Sequence, residues 1–231
     1  MAVQHPGSDD SLLQHGSPLA LRRAFKAAMN PERLAERADD LRHILDRLGH
    51  DPALPDVRAP IGLAGHSFGA VTVQLLAGER RPTQRVVPLD PRVRAILALS
   101  PSARGDGHDL TERFGALERP FFSLTGSRDD GMGLSDITAA NRELPFRHMP
   151  PGHKYLLVFA GGTHLDFAGQ SSPAEQGMFR LRRAPPPFQN ALLAASTAFW
   201  RAHLLDDSDA RHWLESGLPG ILRNDDRYAR K

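Results

Sequence analysis

IGLAGHSFGA, residues 61–70, sets an apolar run, then a histidine and a serine between two glycines, then small residues. The run reads as a strand buried on both faces, and residues 68–78 read as a helix. The pattern Gly65-His66-Ser67-Phe68-Gly69 is therefore a G-x-S-x-G placed where a strand turns sharply into a helix. A serine projecting from such a turn holds strained backbone angles. The residues two before and two after it press together, so glycine is expected to be required at both 65 and 69. The opening helix aims unpaired amides and its positive dipole end at the serine, which makes the Phe68 amide the expected donor to an oxyanion.

Outward from this turn the chain alternates. Upstream, residues 30–49 form the clearest helix: Asn30 suits the cap, Pro31 the first turn and Gly49 the stop, with Leu34, Ala38, Leu41, Leu45 and Leu48 on one face. Strands are expected at 60–66, 93–99, 120–125 and 155–160. A final amphipathic helix is expected at 187–204, packed through Leu192, Leu193, Ser196, Phe199, Trp200 and His203. The proline-rich stretch 145–152 and residues 170–186 read as loops. Apolar strands alternating with helices imply a three-layer α/β/α fold with a mostly parallel, open sheet, in a single domain spanning 1–231.

A serine hydroxyl is a poor nucleophile until a histidine removes its proton and a carboxylate orients that histidine. Behind an elbow of this kind the acid and the base follow in that order, at the ends of later strands. Strand 120–125 runs into Gly126-Ser127-Arg128-Asp129-Asp130, and strand 155–160 runs into Gly161-Gly162-Thr163-His164. The candidate triad is Ser67, Asp129 and His164, with Asp130 as an alternative acid. Asp166 reads as a local cap, His153 as exposed and His66 as a packing or loop-stabilising residue pointing away from the serine. The pairs Asp39-Asp40, Asp206-Asp207 and Asp225-Asp226 read as solvated faces or caps.

The rest of the composition narrows the classes. A net charge of +2 and only short basic clusters argue against nucleic-acid binding. With no cysteine there is neither a disulfide framework nor a thiolate metal site, and no His or Asp spacing resembles H-E-x-x-H, so no metal site is expected. No apolar stretch is long enough for stable membrane insertion. The opening MAVQHPGSDD lacks the basic and apolar blocks of a leader, so the chain as written reads as cytoplasmic.

These residues resemble the α/β-hydrolase superfamily, and more narrowly the predicted dienelactone hydrolases related to platelet-activating-factor acetylhydrolases and cutinase-like polyester hydrolases. GHSFGA carries the elbow, RPFFSLTGSRDD the acid strand and loop, and LVFAGGTHLDFAG the histidine strand and loop. ERADDLRHILDRL resembles the helix before the elbow strand, and AFWRAHLLDDSDARHWL the closing helices. Dienelactone hydrolases proper use a cysteine, which this chain lacks, so the resemblance implies a serine esterase without cofactor, acting on a small-molecule or lipid-like ester.

The resemblance also implies a second oxyanion-hole amide on a loop after the third strand, and no such loop precedes Ser67. VQHPGSDDS resembles the segment after the fourth strand, so the chain is expected to be N-terminally truncated, lacking the first strands of the fold and leaving an unpaired edge on the elbow strand. A start lying further upstream would open secretion or export to the periplasm. Two other functions stay open: a peptidase or amidase on the same triad, and a truncated, non-catalytic remnant acting as an interaction protein.

Overall fold

Period-two alternation within each apolar run sorts its side chains onto two faces, and each face needs a cover. The computed structural model describes residues 1–5, 23, 27, 29–54, 59–82, 88–104, 107–131, 135–168 and 186–231. In it the runs become β1 (Ile61–His66), β2 (Val93–Leu99), β3 (Phe121–Arg128) and β4 (Lys154–Thr163), parallel and side by side in chain order. A short fifth strand, β5 (Arg227–Arg230), which the sequence reading does not contain, adds to β4 antiparallel. Among the described residues β1 pairs with β2 alone and so forms the other edge of the sheet.

One face of the sheet presents Ala95, Leu97, Phe122, Leu124, Tyr155, Leu157 and Phe159. It is covered by Phe188, Ala191, Ala195, Phe199 and Ala202 of α5 (Pro186–Leu204). The opposite face turns Ile96, Ala98 and Phe121 toward α1 (Pro31–Arg47), α2 (Phe68–Leu76) and α3 (Leu110–Phe114), while Leu156 and Val158 meet Phe146 of α4 (Ala139–His148). A last helix, α6 (Ser208–His212), and the turns after it bring Leu214 and Leu218 onto the α5 side. The result is the expected three-layer α/β/α arrangement around a mostly parallel open sheet.

Helix α1 starts where the cap residue predicts, with Asn30 Oδ1 accepting the Arg33 amide at 2.7 Å. Leu34, Ala38, Leu45 and Leu48 are buried as expected. Two readings are corrected. Leu193 is 66% exposed, because the buried face of α5 runs through 188, 191, 195, 199 and 202, and Leu193 lies outside it. Residues 145–148, read as loop, are the last turn of α4 despite Pro145. The ring removes one helical amide, and the Asn141 carbonyl it would have reached accepts the Ala103 amide at 3.0 Å instead. Of the loop read at 170–186, only Pro186 belongs to the described residues, where it begins α5.

Candidate active site

Parallel strands deliver their C-terminal ends to one edge of the sheet, which is where ligands bind in open α/β folds. Ser67, Ser100, Asp129 and His164 are the residues immediately after β1, β2, β3 and β4. Ser67 continues the ladder through its amide, which donates to Leu99 O at 3.0 Å, and it is also the cap of α2. Its backbone sits at φ 56° and ψ −116°, a conformation that a non-glycine residue holds only when its surroundings impose it. Phe68, the first residue of α2, has an amide with no intrahelical acceptor.

The glycines flanking the serine have unequal roles, which corrects the expectation that both are required. A Cβ on Gly65 would collide with the carbonyl of Gly69, whereas a Cβ on Gly69 would find its nearest neighbour, Arg37 Nη2, 3.9 Å away. The second close approach is between β3 and β4, where a Cβ on Gly126 would strike the carbonyl of Gly162. Beside it, the Gly161 amide donates to Ser127 Oγ at 2.8 Å. This pinch fixes the acid and histidine loops against each other.

The three residues singled out in the sequence meet. His164 Nε2 lies 2.8 Å from Ser67 Oγ, and His164 Nδ1 lies 2.8 Å from Asp129 Oδ1. With Asp129 ionised, the contact requires the proton on Nδ1, which leaves Nε2 as the acceptor of the serine proton. Asp129 is fully buried and its Oδ2 accepts Thr125 Oγ1–H at 2.8 Å. Burial pushes its carboxyl up, but the His164 hydrogen bond and the nearby Arg142 charge outweigh that and hold it below the usual carboxylate range. Asp130, the alternative acid, is exposed.

His66 points at the histidine loop. Its Nε2–H donates to the His164 carbonyl at 3.0 Å, and the two rings stand 4.7 Å apart. Burial, with help from the neighbouring His164, pulls its pKa down to about 4, so it stays neutral at pH 7. It therefore stabilises a loop, and that loop is the one carrying the base. Asp166 caps the same turn, accepting the Thr163 amide at 2.7 Å and its hydroxyl at 2.8 Å. His153 is exposed, with its ring 5.0 Å from that of His203. Asp207 caps α6, as expected, whereas Asp226 is not a solvated residue: its buried side chain accepts the Ala160 amide of β4 at 2.7 Å.

Three nearby groups escape sequence reading. Arg142 is 4% exposed and its Nε lies 3.1 Å from Asp129 Oδ1, while Nη1 donates to Ser100 O at 2.9 Å. Ser100 is buried at φ 55°, and Thr125 holds the second oxygen of the Asp129 carboxylate. No spacing or motif links residues 100, 125 or 142 to the triad, so only the fold reveals them. Phe146, Met149 and Phe167 are core residues in separate clusters.

The arrangement can move a proton from Ser67 Oγ to His164 Nε2 while a carboxylate holds the ring. Among the described residues no group of three or more His, Asp or Glu side chains is placed to hold a metal ion, and no helix is long and apolar enough to cross a membrane. No model of a known protein family matches the chain, and no curated protein matches it.

Proposed function

We propose that this chain is a serine hydrolase of carboxylic esters, acting through an acyl-enzyme, of the α/β-hydrolase kind its sequence resembles. The observation that carries the reading is the unbroken relay from Asp129 Oδ1 through His164 to Ser67 Oγ, 2.8 Å at each step, on a serine held in a strained turn at a helix N-terminus. His164 Nε2 takes the hydroxyl proton as Ser67 Oγ attacks the ester carbonyl, and the Phe68 amide donates to the oxyanion. The imidazolium then protonates the leaving alkoxide, and the acyl group stays on Ser67. Water, deprotonated by the same nitrogen, attacks the acyl carbonyl; the bond to Ser67 Oγ breaks, His164 returns the proton to that oxygen and the acid leaves. Asp129 holds the tautomer and balances the imidazolium charge throughout. The steps as written need no cofactor, and the substrate class is a small-molecule or lipid-like ester.

Labelling by a fluorophosphonate tests the reading. The parent chain is expected to label at Ser67, S67A not at all, and short p-nitrophenyl ester turnover in S67A to fall by about a thousandfold or more. A folded parent that neither labels nor turns over esters overturns the proposal in favour of a non-catalytic interaction protein. Preference for peptide anilides would replace the ester with an amide.

A further inference from the structure

Four strand ends meet at the triad, and one buried side chain touches three of them. Arg142, on α4, sets Nη1 on the Ser100 carbonyl after β2 at 2.9 Å. Its Nε lies 3.2 Å from the Asp129 carbonyl and 3.1 Å from Asp129 Oδ1, after β3. Its Nη2 stands 3.1 Å from His164 Nδ1, after β4. That last approach is not a hydrogen bond in the state described above. Nδ1 spends its proton on Asp129 and offers no lone pair, so a fixed cation faces the ring nitrogen. The positive φ of Ser100, 55°, belongs to the residue whose carbonyl the arginine takes. A buried charge is costly unless it is paired and hydrogen-bonded, and this one is held by acceptors drawn from the triad's own acid and its neighbouring strand.

We propose that Arg142 is a positioning residue for the triad: it locks the Asp129 carboxylate against His164 and places a permanent positive charge beside the ring. The inference rests on the serine hydrolase reading. The groups that face the acid–base pair are few. Asp129 meets Thr125 from β3, Ser100 from β2, Arg142 from α4 and His164. His164 meets Ser67 and His66 from β1, and His66 carries no charge at neutral pH. Asp166, on the histidine's own turn, is committed to Thr163, and exposed Asp130 acts on the guanidinium at longer range. Arg142 is therefore the one permanent positive charge among these neighbours.

The test follows the rate of fluorophosphonate labelling of Ser67 against pH in the parent, R142M and R142K, with a thermal melt of each. In R142M the acid limb is expected to move to higher pH by about one pH unit, because the ring gains a proton more readily without the cation. Its plateau is expected to fall about tenfold, as an acid that is no longer locked orients the base poorly. R142K keeps the charge and loses the fork, so its limb is expected to stay with the parent's while its plateau drops. An R142M that melts like the parent with an unmoved limb overturns the proposal. If R142M does not fold, R142K decides alone, and a displaced limb or an undiminished plateau overturns it. A parent that fails to label defeats the hydrolase reading itself, which is a different outcome.

Discussion

Ser67 is held in its strained turn by a contact that a single methyl group would destroy. The Gly65 position faces the Gly69 carbonyl with no room for a Cβ, and the reverse is not true. G65A is therefore expected to lose about 3 kcal/mol or more in stability, together with labelling at Ser67, because either the turn or the helix start must move. G69A is expected to label like the parent and to gain up to about 1 kcal/mol, since the position is helical and open. Chemical denaturation of the two variants side by side measures the difference. The G-x-S-x-G pattern makes the serine legible but treats its glycines as equals. The same limit applies to His66. Its neighbourhood in sequence shows a residue beside a serine, while its partner is 98 residues away across the sheet.

The start of α1 was readable to the residue, though its end at Arg47 falls short of Gly49, because capping is local chemistry. An asparagine side chain satisfies an amide three positions on, and proline at the first helical position leaves no hydrogen bond unmade. N30A is expected to cost about 1 kcal/mol in a denaturant titration and to leave the labelling rate alone, since the cap lies far from the reacting groups in the chain of contacts. The parallel strands were readable for a related reason: residues buried on both faces must be apolar throughout. Helix α4 and strand β5 were not. Pro145 makes the end of α4 look like a loop, and the carbonyl it frees is satisfied only by Ala103 from another segment. Strand β5 is four residues long, half of them arginine and all but Tyr228 exposed, and it pairs with the edge that β4 offers. What the sequence hides in each case is a partner distant along the chain, and Arg142 is the extreme instance.

At the scale of the whole molecule, His203 and His66 tie stability to pH. Burial, before any neighbour, pulls His203 down to about 3 and His66 to about 4. His203 packs against Tyr155, with Nε2 3.2 Å from the phenol oxygen. In the unfolded chain both take a proton near pH 6.5, which the native state refuses until far lower. Protons therefore favour unfolding as the pH falls from about 6.5 toward 3, and stability present above that window is lost through it. H203Q keeps a polar group for Tyr155 but does not titrate, so its melting temperature is expected to fall less steeply than the parent's over the same range. A slope equal to the parent's would remove His203 from the account.

The sheet runs β1-β2-β3-β4-β5, the same order as the chain. A ribosome therefore delivers these five described strands from one side to the other, and each one after β1 finds its neighbour's edge already made. The nucleophile's strand comes first, the acid's next but one, and the histidine's last among the parallel four. A nascent chain can present the serine turn through 97 further residues of synthesis while holding no base to arm it. On the proposed reading, reactivity arrives late and in a single step, when His164 clears the exit tunnel and closes on two residues that have been waiting for it.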